Sequence, residues 1–217
     1  MNGLDTTYGL ADAETIATAD KQPAFVVLPD VHGPDELEIV SSVFDAHGAD
    51  VDILPLIEKP SAVFTAQEIA NVNDSVYGLG FAAIDYQREM GISILDENDL
   101  SVPQYLISMA AHSADVLPID KPTLCDVDDT RRLRAEADAA AAMGYSAKFA
   151  MTNEQARVIN DAFTPSQEVV ERAKRFVETF EAQDEGLVTI DGVAVDKPVI
   201  TQLRDVLVRA ERARRDG

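Results

Sequence analysis

A single cysteine, Cys125, stands in a chain of 217 residues. An internal disulfide is excluded, and the usage fits a reducing cytosol. Long apolar runs are missing, since no stretch approaches the ~20 residues of a membrane helix. The first residues carry no basic stretch followed by an apolar one, so a secretory signal is not expected. Cations are scarce: Lys and Arg number 18 against 39 Asp and Glu, a formal net charge of -21. A field of that sign repels nucleic acid and anionic membrane surfaces, so neither is expected as a partner. The acid is spread along the chain and the apolar pattern is periodic, which argues against a disordered acidic tail. Spread acid suits the solvated surface of a halophilic, cytoplasmic protein, where salt screens the self-repulsion.

The chain is 46% hydrophobic and 26% charged, a globular balance, and is long enough to bury a sizeable core. Apolar runs bounded by turn signals read as strands at residues 24–28, 52–57, 76–81, 115–119 and 146–150. Helical spacing fills 35–47, 62–70, 103–113 and 129–143, with Gly48 and Gly144 as stops. Residues 1–12 read as polar and turn-rich, and 87–102 as an irregular acidic loop. Thr152-Asn153-Glu154-Gln155 and Thr164-Pro165-Ser166-Gln167 fit capping boxes. Residues 187–190 and 193–195, joined by Asp191-Gly192, predict a β-hairpin, and Pro198 opens a last helix. Alternating strands and helices predict an α/β fold with a parallel sheet or barrel.

Two apolar runs end on carboxylates, Glu58 and Asp85. On adjacent parallel strands, about 4.8 Å apart, these would emerge side by side at the C-terminal ends, where α/β folds place chemistry. Two converging carboxylates suit Mg²⁺, which is usually held by one or two carboxylates plus water and substrate. Helix caps or solvated loop residues are the alternative. Asp196, just before Lys197-Pro198, reads equally as a helix N-cap. His32, His47 and His112 have no ligand spacing, and Cys125 has no CxxC partner. Asp126, Asp128 and Asp129 lack the Gly and Glu of a calcium loop and read as a helix cap. Gly78-Leu79-Gly80 lacks the third Gly of a dinucleotide fingerprint. The terminal Arg209, Arg212, Arg214 and Arg215 read as a solvated helix end.

The order LPLIE (54–58), an apolar strand ending in Asp85, Asp-Val-Asp-Asp (126–129), Ala-Phe-Thr-Pro-Ser (162–166) and Asp191-Gly192-x-x-x-Asp196-x-Pro198 resembles the citrate lyase beta subunit and malyl-CoA lyase group of the HpcH/HpaI aldolase superfamily. The resemblance implies a TIM (β/α)8 barrel and a Mg²⁺-dependent carbon–carbon lyase acting on a 3-hydroxyacyl-CoA such as malyl-CoA, citramalyl-CoA or a citryl thioester. It implies Glu58 and Asp85 as metal ligands and Asp196 as an acid/base on a C-terminal lid. Backbone around Ala83 and Ile84 would hold an oxo-acid carboxylate. Acyl-CoA and 2-oxo acids are the implied small molecules, and a homo-oligomer, trimer or hexamer, the implied assembly.

The sequence departs from that pattern in three places. Asp30 stands where the family usually has Lys, and Ile84 where Glu usually precedes the metal-binding Asp. Met1-Asn2-Gly3-Leu4-Asp5 resembles an Arg-x-Asn-x-Leu segment entered after its Arg. An eightfold barrel would need three more strand–helix units ahead of Ala24. The expectation is therefore a partial barrel over residues 1–183 with a hairpin–helix lid over 184–217, and little lyase activity from this chain alone. An HpaI-type aldolase on free 2-oxo acids and a truncated, non-catalytic paralogue are the alternatives.

Overall fold

A computed structural model describes residues 1–95, 98–126, 129–183 and 186–216. Asp96, Glu97, Val127 and Asp128, on which parts of the acidic-loop and calcium-loop readings fall, lie outside the described residues, as does the 184 start of the expected lid. The described chain divides into two compact units, Met1–Ile159 and Asn160–Gly217.

The first unit is built on a five-stranded sheet, β1 (Phe25–Leu28), β2 (Asp52–Ile57), β3 (Gly78–Phe81), β4 (Leu117–Asp120) and β5 (Ala147–Lys148). The spatial order follows the chain, β1-β2-β3-β4-β5, and every pairing is parallel. Parallel central strands are covered on both faces, which is why β3 is buried at all four positions and β2 buries Ile53, Leu54 and Ile57. Helix α2 (Pro34–His47) crosses from β1 to β2, turning Leu37, Val40 and Phe44 inward, and Gly48 (φ 65°) ends it in the left-handed conformation. Ile69, Leu79, Phe81 and Ile107 join the same core.

Several boundaries differ from the sequence reading, each for a local reason. A helix, α1 (Gly9–Ala17), forms in the N-terminal stretch and buries Ala13 and Ala17. Residues 62–70 form two short helices, α3 (Pro60–Phe64) and α4 (Ala66–Ala70), broken at Thr65. Val76 makes only an isolated bridge to Ile53 before β3 begins. Gly78 is required there, because an added Cβ would lie 2.3 Å from the Leu117 carbonyl oxygen. The supposed acidic loop is helical at both ends, in α5 (Ala83–Met90) and α6 (Ser101–Ser113). Asp115 (φ 56°) turns the chain left-handed, so β4 starts at Leu117. Asp129 caps α7 (Thr130–Ala142), accepting the Arg132 N–H at 3.1 Å.

Helix α8 (Asn153–Phe163) opens with Thr152 accepting the Gln155 N–H at 3.2 Å, while Gln155 reaches back to the Met151 N–H at 2.9 Å. The second unit holds α9 (Gln167–Glu181), the antiparallel hairpin β6 (Leu187–Ile190) and β7 (Val193–Asp196), and α10 (Lys197–Asp216). Ser166, not Thr164, caps α9, accepting the Val169 N–H. Pro165 therefore precedes the cap. Asp191 and Gly192 both have positive φ, the two-residue turn that matches strand twist. Phe176, Val188, Ile190, Val195 and Ile200 form this unit's own core. Among the described residues no helix is long and apolar enough to cross a membrane.

Candidate functional site

Two polar corners occupy the C-terminal ends of the sheet strands in the first unit. The first lies at β1, β2 and β3. Glu58 follows β2 directly and is 6% exposed. Its Oε1 accepts the Asp30 N–H at 2.9 Å. Asp30, two residues past β1, adopts φ 58°. Its Oδ1 pairs with the ammonium of Lys59 at 2.7 Å. The Ala82 N–H donates to the Ile57 carbonyl at 3.1 Å, continuing the β2–β3 pairing past the strands. Asp85 therefore does not end a strand. It sits in the first turn of α5, where the helix dipole favours an anion. Arg88 pairs with it at 2.9 Å on the exposed side.

Burial pushes the Glu58 carboxyl above its usual range. The Asp30 N–H pulls it back, and the charges of Asp85 and Asp30 add to the rise. Lys59 holds the Asp30 carboxyl below its usual range, and Asp30 in turn raises Lys59. Glu58 is thus a carboxyl in need of positive charge, with Asp85 near enough to matter electrostatically. Ala83 and Ile84 open α5, so their N–H groups lack partners within the helix and face outward from its positive end.

No group of three or more His, Cys, Asp or Glu residues arranged to hold a metal exists among the described residues. The donor set at this corner is two carboxylates, the number that suits Mg²⁺ with water and substrate completing its shell, and the raised carboxyl is what a cation would relieve.

The second corner, at β4 and β5, was not anticipated from the sequence. Asp120 and Lys148 are register partners across the two strands. Their carboxylate and ammonium meet at 2.7 Å with both side chains sealed from solvent. Gln104 donates to the other Asp120 oxygen at 2.8 Å, and Lys148 donates again to the Lys121 carbonyl at 2.7 Å. Burial lowers the Lys148 ammonium, opposed by Asp120. Glu136 accepts from Lys121 and Thr123, which outweigh its own burial and keep it below the usual range. Tyr145 donates to the Gln104 carbonyl at 2.9 Å, and burial drives its phenol up. The sequence signal was a third strand ending on a carboxylate, Leu-Pro-Ile-Asp120, and a lysine inside the apolar run SAKFA.

Asp196 lies in the second unit, at the end of β7, and its Oδ1 accepts the Val199 N–H at 3.2 Å as the cap of α10. The ring nitrogens of His32 and His112 are engaged locally, with Glu36 and with the Gly144 carbonyl. Cys125 is half-buried, and burial raises its thiol.

Residues 1–152 match the family model described as HpcH/HpaI aldolase/citrate lyase. The citrate lyase subunit beta of Escherichia coli (strain K12) is 28% identical over 221 residues, covering 97% of this chain and 72% of that protein. The (3S)-malyl-CoA thioesterase of Cereibacter sphaeroides (strain ATCC 17029 / ATH 2.4.9) is 26% identical, with 97% and 73% covered. Among solved structures, the Mycobacterium tuberculosis protein CitE, in complex with magnesium, acetoacetate and coenzyme A, superposes with a TM-score of 0.82 at 26% identity. That match covers 97% of this chain and 76% of CitE.

Proposed function

The chain belongs to the HpcH/HpaI aldolase/citrate lyase family, and from this premise we propose that it is a Mg²⁺-dependent carbon–carbon lyase of the aldol or Claisen type. Its substrate is a 3-hydroxyacyl-CoA of the malyl-CoA, citramalyl-CoA or citryl thioester kind. The observation that carries the reading is the Glu58–Asp85 corner, a buried carboxyl with raised proton affinity beside a second carboxylate at a helix N-terminus. The solved relative with magnesium and coenzyme A supports the same assignment.

In this reading Glu58 and Asp85 hold Mg²⁺, which supplies Lewis-acid polarisation of an oxo-acid oxygen. The N–H groups of Ala83 and Ile84 receive the oxo-acid carboxylate. The 3-hydroxyl would give its proton to the acid/base carboxylate as the C2–C3 bond breaks, and the electron pair of that bond would pass to the acyl-CoA fragment as an enolate. Asp196, on the C-terminal hairpin–helix element, is the residue we assign to that acid/base role, taking the hydroxyl proton and returning it to the enolate carbon, with the site it serves that of a neighbouring subunit. Its capping bond uses only Oδ1, which leaves the other oxygen for proton transfer.

The sequential strand order, with no reversal, supports reading the five strands as an arc of a (β/α)8 barrel in preference to a doubly wound sheet. Residues 184–217 are read as a lid, and the protein as a cytoplasmic homo-oligomer, a trimer or hexamer. The test is a substrate panel of malyl-CoA, citramalyl-CoA and free 2-oxo-3-deoxy acids with Mg²⁺, following both acyl-CoA and oxo-acid products. Cleavage confined to the CoA esters, slow from this chain alone and lost with EDTA, is expected. Cleavage of free acids alone would assign the chain to the aldolase branch, and no cleavage of any member would remove the lyase reading.

A further inference from the structure

Glu58 is held by a closed ring of contacts that the metal reading does not itself require. Asp30 donates its N–H to Glu58 Oε1 at 2.9 Å, Glu58 is followed by Lys59, and Lys59 returns to Asp30 Oδ1 at 2.7 Å. Asp30 makes both contacts from a left-handed backbone, φ 58°. That region disfavours residues with a Cβ, and β-branched ones most, while Asp and Asn tolerate it. The left-handed turn takes Asp30 out of the β1 ladder and presents its N–H to the end of β2. Lys59 is largely covered, with 17% of its side chain exposed, so the latch is not a solvated surface pair. The N-terminal turn packs against the same residue, since a Cβ on Gly3 would lie 3.2 Å from the Asp30 Cβ. Among the described residues Glu58 Oε2 accepts no hydrogen bond, so the ring fixes one oxygen and leaves the other for a ligand.

We infer that Asp30 is a positioning residue, whose left-handed backbone, latched by Lys59, orients the Glu58 carboxylate toward a divalent cation. The inference rests on the metal reading of Glu58 and Asp85 and adds to it a cause for the orientation. It also gives Lys59 a role opposite to the one its charge alone would have. A cation beside a carboxylate site weakens Mg²⁺ binding by repulsion, whereas a latch strengthens it.

The test is calorimetric titration of Mg²⁺ into the full chain and its Asp30→Asn, Asp30→Val, Lys59→Met and Glu58→Gln variants at neutral pH, with far-UV circular dichroism confirming the fold of each. Asp30→Asn and Asp30→Val lose the same charge, but only Asn keeps the left-handed turn at little cost. Asp30→Val is expected to bind Mg²⁺ about tenfold more weakly than Asp30→Asn, the scale on which partners that orient metal ligands act. Lys59→Met, which leaves the backbone untouched, is expected to bind about threefold more weakly than the parent, below the roughly 10–100-fold scale of partners that contact a ligand directly. Equal affinities for the two Asp30 variants, or tighter binding by Lys59→Met, would overturn the inference while leaving the metal site standing. If Asp30→Val does not fold, Lys59→Met decides alone by the sign of its effect. A parent chain that binds no Mg²⁺, or a Glu58→Gln variant that binds as well as the parent, would overturn the metal reading and this inference together.

Discussion

The two polar corners sit at the same end of the same sheet, yet their charges are arranged in opposite ways. At β4 and β5, Asp120 and Lys148 are sealed, and each spends its polar atoms on protein partners. At β2 and β3, Glu58 is also buried, though less completely, and among the described residues it accepts one hydrogen bond and has a like-charged neighbour and a raised carboxyl. A buried charge that is fully paired has nothing left to offer a ligand. A buried carboxylate that is short of positive charge gives up stability in exchange for a place where a cation is welcome. The contrast therefore separates a fully paired corner from the one proposed to take a cation.

The largest effect should come from breaking the paired corner. Lys148→Met leaves Asp120 buried with only Gln104, and a loss of about 3–5 kcal/mol in urea unfolding is expected. Replacing both partners, Lys148→Met with Asp120→Leu, should recover most of that loss, because no uncompensated charge remains. If the single variant unfolds at the parent's midpoint, the corner is not structural and the contrast fails.

The other corner should respond in the opposite sense. Glu58→Gln is expected to keep or raise the metal-free melting temperature at neutral pH while lowering Mg²⁺ affinity about a hundredfold or more, beyond the usual effect of an outer-shell change. The sign follows from the raised carboxyl. A folded-state pKa above the unfolded value contributes stability that is present below the ordinary 4.5 and is lost as pH rises through the folded value. The melting advantage of Glu58→Gln should accordingly grow from pH 4 toward neutrality and shrink when Mg²⁺ is added to the parent. In the parent, Mg²⁺ affinity should fall on acidification at a pH above the ordinary glutamate range, as the proton competes for Glu58. Thermal melts across pH with and without Mg²⁺ would check both statements.

The smallest effects belong to caps that serve neither corner. Asp129→Ala and Ser166→Ala each remove one N-cap hydrogen bond and should cost about 1 kcal/mol, with Mg²⁺ affinity unchanged. A change in Mg²⁺ affinity in either variant would blur the separation between scaffold and site.

The apolar runs located all five strands in the chain, because parallel strands buried on both faces read as continuous hydrophobic stretches. What the periodicity could not place were the left-handed aspartates. Asp115 delayed β4 by two residues, and Asp30 gave the Glu58 corner its donor, yet nothing in their neighbours distinguishes them from ordinary turn residues. Asp85 was legible as a strand-end acid but not as part of α5, since Ala83-Ile84-Asp85 is too short and apolar to announce a helix start. Thr164-Pro165-Ser166-Gln167 reads as a capping box led by Thr164, yet Ser166 is the cap, a choice that the spacing of the motif does not specify. The Asp120–Lys148 pair was hidden for a different reason. Its partners lie 28 residues apart and meet only through strand register, which the sequence pattern does not specify.

The central claim is that Glu58 and Asp85 together bind a divalent cation. Crystals of the protein soaked with Mn²⁺ and measured at the manganese absorption edge test it most directly. The account predicts one anomalous peak at roughly 2.1 Å from an oxygen of each carboxylate, the spacing of a Mg²⁺-type site, with Arg88 moved off Asp85. A peak elsewhere, or none while Arg88 keeps its pairing with Asp85, would contradict it.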